Sequence, residues 1–188
     1  MQQYASDTDE HLAELTQKGD NAPYAELLNR YEPKLMRYAL RLVKNDQVAQ
    51  DVVQNTFIKA YKNLKGFDTK RQFSSWIYRI THNEAMDHLR RKKKEISGVD
   101  KAIFDNITDQ TPGIEEKMLT EEVQQMVRDL IDKLPDHYQE PLILFYLEEK
   151  SYEEISDILK MPTNTVGTKI NRGKKMLAEI YEHHYGKR

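Results

Sequence analysis

The chain contains no cysteine, which excludes disulfides and thiolate metal sites and fits a reducing cytoplasm. Glycine and proline are sparse, seven and six among 188 residues. No series of alternating apolar segments bounded by turn residues is present, so a sheet fold is not expected. No apolar run approaches the ~20 residues that span a bilayer, and the polar N-terminus has no signal-peptide pattern. Phosphate-loop spacing (GxxxxGK then Ser or Thr) is missing among the glycines, as is HExxH. His183-His184 lacks a second ligand pair at helical spacing and reads as surface histidines near a helix end. No nucleophile, base and orienting group announce themselves. A catalyst, a metal protein or a carrier of another cofactor is therefore not the expectation.

What is present is a surplus of Leu, Ile, Glu and Lys with 38% hydrophobic residues and a mean hydropathy of −0.82. That composition favours an all-α fold with two modest cores over one large one. The net charge is only −2, but its distribution is uneven. Residues 72–94 carry six cations against Glu84 and Asp87, a net +4. Residues 95–122 carry eight acids against Lys101 and Lys117, a net −6, and residues 164–175 return to +4. Two basic stretches flank an acidic one. The division reads as an N-terminal domain 1–94, a flexible acidic linker 95–116 and a C-terminal domain 117–188.

The stretch QFSSWIYRITHNEAMDHLRRKKK, residues 72–94, organises the first half. Phe73, Trp76, Ile77, Ile80, Met86 and Leu89 recur at spacings that gather on one helical face. Ser74 or Ser75 can cap its start. Arg79, His82, Asn83, Asp87, Arg90 and Arg91 lie largely off the apolar face, and the RRKKK tail places cations where a helix C-terminus favours them. Cations beside aromatics and amides suit nucleic acid. A plain core helix with a solvated basic end satisfies the same pattern.

Before this stretch the periodicity predicts a short helix at about 8–18 and one from Pro23, with Tyr24, Leu27, Leu28 and Tyr31 buried. Pro33 is expected to bend or interrupt it ahead of Leu35, Tyr38, Ala39 and Leu42. Asn45-Asp46 can cap a helix over 46–64 whose core positions include Val48, Val52, Phe57, Tyr61 and Leu64, stopped by Gly66. GFDTKRQ is an exposed loop. After the linker, helices are predicted over 118–134, 136–149 with Pro141 about one turn in, 151–160 and 163–184.

SYEEISDILKMPTNTVGTKINRGKKML, from Ser151, has the pattern of a helix-turn-helix. Ser151 with Glu154 matches a capping box. Ile155, Ile158 and Leu159 form an apolar face, Met161-Pro162 breaks the helix, and Thr163 or Asn164 can cap the next. Val166, Ile170 and Leu177 point inward, leaving Thr165, Gly167, Thr168, Lys169, Arg172 and Lys175 for a DNA groove. A plain helical hairpin with a basic outer face is the competing reading.

Taken in order, these segments resemble the two-domain extracytoplasmic-function (ECF) sigma factors of bacterial RNA polymerase. DVVQNTF (51–57) resembles the family's core-polymerase-binding helix. FSSWIYRITHN (73–83) with DHLRR (87–91) resembles its melting and −10-reading helix. Leu134-Pro135, SYEEI (151–155), Thr165-Val166 and Arg172 resemble its −35-reading domain. The resemblance implies that Asp51, Gln54 and Asn55, supported by Phe57, grip the largest polymerase subunit. Gln50 and Asn55 stand where the family commonly has acids, which implies weaker charge pairing. It assigns −10 DNA to Phe67, Lys70, Arg71, Phe73, Arg79, Asn83, Asp87, Arg90 and Arg91, with Lys92–Lys94 on phosphates; the apolar neighbours of Trp76 place that residue in the core rather than at the melting edge. It assigns −35 DNA to Thr163, Asn164, Thr165, Gly167, Thr168, Lys169, Arg172 and Lys174. Gly167 replaces the family's usual Lys or Arg. The acidic linker is implied to thread the polymerase near the RNA exit path, although a solvated tether fits its composition equally. Core RNA polymerase, promoter DNA and an anti-sigma factor are the implied partners, with no membrane insertion. The alternative is a helix-turn-helix regulator that is no polymerase subunit and has no use for the 46–62 surface.

Overall fold

A computed structural model describes residues 4–97 and 121–185, and every described element is helical or a turn. The chain divides into two compact units, Met1–Ala102 and Ile103–Arg188. Among the described residues, no helix is long and apolar enough to cross a membrane.

The first unit contains α1 (Asp9–Gln17), α2 (Ala22–Val43), α3 (Asp46–Asn63), a 3-10 turn (Leu64–Gly66) and α4 (Phe73–Ser97). Thr8 caps α1 by accepting the His11 amide, and Asn45 caps α3 by accepting that of Val48. These satisfy donors that a helix start leaves unpaired. α2 packs against α1, α3 and α4. Its core side carries Tyr24, Leu27, Tyr31, Leu35, Tyr38 and Ala39, which meet Val52, Val53 and Ala60 of α3 and Phe73, Ile77, Tyr78 and Ala85 of α4 in one core.

Four expectations need correction here. α2 runs unbroken through Pro33. The residue is exposed, and the Asn29 carbonyl that its missing N–H leaves without a helical partner lies on an exposed residue too, where water can serve it. Leu28, Leu42, Val48 and Phe57 are only half-buried and Tyr61 is 46% exposed, so none of them is enclosed in the core. Ser74 and Ser75 lie inside the first turn of α4. The helix starts from Gln72, whose carbonyl accepts the Trp76 amide, and a carboxylate oxygen of Glu10 accepts the Phe73 amide. α4 also continues through Ser97, past the proposed start of the linker. The remainder of the acidic segment and the Met118 end of the predicted helix lie outside the described residues.

The second unit contains α5 (Glu121–Ile131), α6 (Asp136–Leu142), a π turn (Ile143–Leu147), α7 (Tyr152–Leu159) and α8 (Thr163–Tyr185). The predicted 136–149 helix therefore changes pitch after Leu142. Its core is aliphatic: Leu130, Ile131, Leu134, Leu142, Ile143, Leu144, Ile155, Ile158, Val166 and Ile170. Both halves of the Ser151–Glu154 capping box are formed. α7 ends with Lys160 in the left-handed conformation (φ 54°), and the Ser156 hydroxyl donates to the Met161 carbonyl at 2.7 Å. Pro162, not Thr163 or Asn164, starts α8, because its carbonyl accepts the Thr165 and Val166 amides. Gly173 allows α8 to approach α6: a β-carbon there would stand 2.6 Å from a Leu142 methyl.

Candidate nucleic-acid interface

Between the 3-10 turn and α4 lies the loop Phe67–Gln72. Asp68 organises its tip, its side chain accepting the Lys70 amide (3.1 Å) and its carbonyl that of Arg71 (2.9 Å). Lys70 and Arg71 are thereby turned out to solvent. Phe67 and Phe73 are not. They are 6% and 1% exposed and form an aromatic floor with Trp76, at ring separations of 4.8 to 5.7 Å. The expectation that these two phenylalanines touch −10 DNA is corrected: rings enclosed by the fold present no face on which a base can stack.

Helical spacing places Arg79, Asn83, Asp87 and Arg90 along one stripe of α4. Trp76, half-buried and seven residues before Asn83, heads the same stripe and contacts Phe67 of the loop. The stripe therefore begins at the loop and ends in the cations. Asn83, Arg90 and Arg91 are exposed, and Arg79 and Asp87 are half-buried. Arg90 pairs with Asp87 at 3.4 Å. An exposed amide flanked by guanidiniums can meet a base edge while phosphates are held beside it. His82 adds no charge: burial lowers its pKa to about 4, and its Nδ1 shares a hydrogen bond with the Tyr38 hydroxyl at 3.2 Å.

On α3, Asp51, Gln54 and Asn55 are exposed and share one stripe with Ile58. Phe57 is half-buried at its border, and its carbonyl accepts from the Tyr24 hydroxyl at 2.6 Å. Beside the stripe a largely apolar groove of about 480 Å³ runs between α2 and α3, lined by Leu28, Met36, Val53, Phe57 and Ile58 with Glu32, Gln50 and Gln54. Met36 and Ile58 were not singled out from sequence, and Leu28 was expected in the core. An exposed Ile58 (45%) looks like a core position until the helix facing it is known.

In the second unit, Val166, Ile170 and Gly173 are the buried side of α8. Asn164, Thr168, Arg172 and Lys175 lie on the opposite side, Asn164 and Lys175 exposed and the other two half-buried. Thr163 and Thr165 are half-buried at the helix start. The Thr168 hydroxyl donates back to the Asn164 carbonyl (2.9 Å). Lys169 and Lys174 flank the packed side. The Lys169 ammonium donates to the His137 carbonyl (3.3 Å) and lies 5.8 Å from the Tyr138 ring. That carbonyl is the one Pro141 leaves unserved, because it lacks the N–H that would bond four residues back. Lys174 lies over the rings of Phe145 and Tyr146 at 5.1 and 5.5 Å. Gly167 is in ordinary contact range of Tyr152, 3.5 Å from a built β-carbon. Lys175, part of the outward face, belongs with Arg172 more than Lys174 does.

Known proteins resemble this chain along most of its length. Residues 27–95 match the family Sigma-70 region 2, and residues 124–177 match Sigma-70, region 4. The ECF RNA polymerase sigma factor SigW of Bacillus subtilis is 34% identical over 167 residues, 85% of this chain and 89% of that protein. The ECF RNA polymerase sigma-E factor of Haemophilus influenzae is 34% identical over 179 residues, 90% and 93%. Among solved structures, CnrH, solved with the cytosolic domain of CnrY, has a TM-score of 0.69 at 22% identity, over 94% of this chain and 98% of that one. RpoE of Bartonella quintana, solved with the anti-sigma factor NepR, has a TM-score of 0.65 at 22% identity, over 85% and 96%. At that identity the two structures speak to fold alone. The family matches include both the α4 stripe and the helix-turn-helix, so a regulator independent of polymerase is not favoured. The chain belongs to the ECF group of RNA polymerase sigma factors and directs polymerase to promoters.

Proposed function

We propose that the two units divide promoter reading by the physical state of the DNA. The first takes an unstacked base of the −10 strand between the Phe67–Gln72 loop and Asn83, with Lys70, Arg71, Arg79, Arg90 and Arg91 on phosphates and Asp87 orienting Arg90. The second sets Asn164, Thr168, Arg172 and Lys175 against the −35 duplex, with Lys169 and Lys174 at the edges. The observation that carries this is the continuity of loop and stripe: Trp76 joins Phe67 to the face of Asn83, so a base leaving the stack meets loop and stripe together. Flipping costs a few kcal/mol, which edge hydrogen bonds and phosphate contacts must offset.

Asp51, Gln54 and Asn55, with the groove that Phe57 lines, form the surface for core polymerase. The same exposed apolar strip suits an anti-sigma factor that competes for it; RpoE of Bartonella quintana was solved with a partner of that class. The protein acts in the cytoplasm as a binding subunit without chemistry of its own.

The test is a pair of salt-titrated binding curves of polymerase loaded with each variant, on a −35 duplex and on a pre-opened −10 template. Asn83→Ala is expected to lower discrimination among −10 strands and spare the duplex. Arg172→Ala is expected to weaken the duplex by about 1–3 kcal/mol if it reads a base, or to reduce the salt slope by about one if it holds phosphate. Asn83→Ala acting on the duplex alone would reverse the assignment.

A further inference from the structure

The region-2 match begins at residue 27, so α1 lies outside it. Yet α1 reaches both ends of the connection between α3 and α4. The Gln17 side-chain amide donates both hydrogens, to the Leu64 carbonyl and to the Phe67 carbonyl, each at 2.8 Å. Glu10 accepts the Phe73 amide at 2.9 Å. Glu10 and Gln17 are seven residues apart, so they share one side of α1 with about 10 Å of rise between them.

The helix is itself anchored elsewhere. Asp9 receives Arg30 at 2.8 Å and the Tyr31 hydroxyl at 2.5 Å. Arg30 also donates to the carbonyls of Tyr4 and Asp7 at 2.7 and 2.8 Å. Leu12 and Ala13 are fully buried. α1 is thus a bar fixed to α2 that holds two points on the loop a set distance apart. The backbone of a short loop is ordinarily left to water. Here the carbonyls of Leu64 and Phe67 and the Phe73 amide are all bound by side chains of one helix.

We propose that α1 is a strut for the −10 loop, and that Glu10 and Gln17 are positioning residues for choice of the −10 base. This rests on the reading of the loop given above. The two residues touch no DNA. They fix where the Asp68 turn presents Lys70 and Arg71 relative to Asn83, and a recognition edge held by paired hydrogen bonds loses little freedom when a base arrives.

The test uses the full chain assembled with core polymerase. Gln17→Met keeps length and removes both donors, and Gln17→Lys restores donors. Glu10→Met removes the acceptor, and Glu10→Gln keeps an acceptor oxygen. The first readout is amide hydrogen exchange. The second is selection from a pre-opened DNA library randomised at its single-stranded positions, scored as enrichment of the best base over the others. For the two Met variants, exchange is expected to rise at Lys70, Arg71 and Phe73 while α2 and α3 amides hold, and enrichment to fall about fivefold. Gln17→Lys and Glu10→Gln are expected to recover most of it. Unchanged loop exchange would overturn the strut. Faster exchange with undiminished enrichment, while Asn83→Ala does reduce enrichment, would overturn the positioning role and leave the base reading standing. If Asn83→Ala and Lys70→Ala also leave enrichment unchanged, the base reading fails and the proposal with it.

Discussion

The two units reach similar helical packing by different means. In the first, side chains clasp backbone far away in sequence: Gln17 to Leu64 and Phe67, Tyr24 to Phe57, Arg30 to Tyr4 and Asp7, and Glu10 to Phe73. Its core is rich in tyrosine and phenylalanine. In the second, the described bonds are mostly local, such as the capping box, Ser156 to Met161, and Gln139 to the Leu134 carbonyl at 2.6 Å, around a core of Leu and Ile. Aliphatic packing needs only complementary volumes. Paired polar groups also fix geometry, because a misplaced partner leaves a buried group unsatisfied. The unit assigned the single-stranded base is the one built with long-range polar clasps.

pH separates the units most strongly. Burial lowers His82 from 6.5 to about 4. The folded first unit then binds fewer protons than its unfolded chain, so its stability declines as pH falls from about 6.5 to 4. Glu140 of the second unit is raised from 4.5 to about 7, by burial first and then by Asp136, with Lys169 opposing. The stability that unit holds below about 4.5 is lost as pH rises through 7. Each effect is about 3 kcal/mol, of opposite sign. Urea unfolding of the intact chain across this range measures both, with the single Trp76 reporting the first unit and Ile155 and Ile170 methyl resonances the second. Parallel pH profiles would break the comparison.

Packing tests the second unit directly. Gly173→Ala places a methyl against Leu142, itself fully buried. Against an overpacking cost of about 1–3 kcal/mol stands the ~1 kcal/mol gained in helix propensity, so a net loss of up to about 2 kcal/mol is expected in the same urea experiment. Arg172-dependent DNA binding should weaken only as far as α8 unfolds.

Local chemistry was legible in the sequence and distant pairing was not. Asn45, the Ser151–Glu154 box and the Met161-Pro162 break follow from residue types within a few positions, and each forms. The inward Val166 and Ile170 follow from the 3.6-residue period. The misses are tertiary. Ser74 and Ser75 looked like caps because nothing nearby announces that Glu10, sixty-three residues away, caps Phe73. Phe67 and Phe73 looked available to DNA because an aromatic beside a basic loop has the same sequence whether it stacks on a base or on Trp76. Lys169 sits in a basic run, but only the fold brings it to the carbonyl that Pro141 leaves unserved.

Matched polar deletions sharpen the contrast at about 1 kcal/mol each. Ser151→Ala removes a helix cap, and its effect on hydrogen exchange is expected to stay within the first turns of α7. Tyr31→Phe removes the bond to Asp9. Its effect should spread to α1 and the 64–73 loop, because Asp9 anchors the strut. Equal spread for both would argue that the clasps are no more global than a cap.

The smallest effect expected is a gain. Gly167 is not forced by backbone: it lies inside α8, and a β-carbon there meets only the Tyr152 ring edge at 3.5 and 3.8 Å, ordinary van der Waals contact. Gly167→Ala should therefore recover helix propensity without the clash that Gly173 imposes, stabilising the second unit by roughly 0.5–1 kcal/mol. The residue lies to the side of the outward face of Asn164, Thr168, Arg172 and Lys175, so a methyl there adds neither charge nor donor. Duplex affinity and its salt slope should be unchanged within error while the urea midpoint rises. A stabilised protein that binds −35 duplex less well would mean DNA approaches the Gly167 edge closely enough to need the missing side chain. The reading face of α8 would then extend to Gly167 and Lys174, which the family resemblance assigns to −35 DNA.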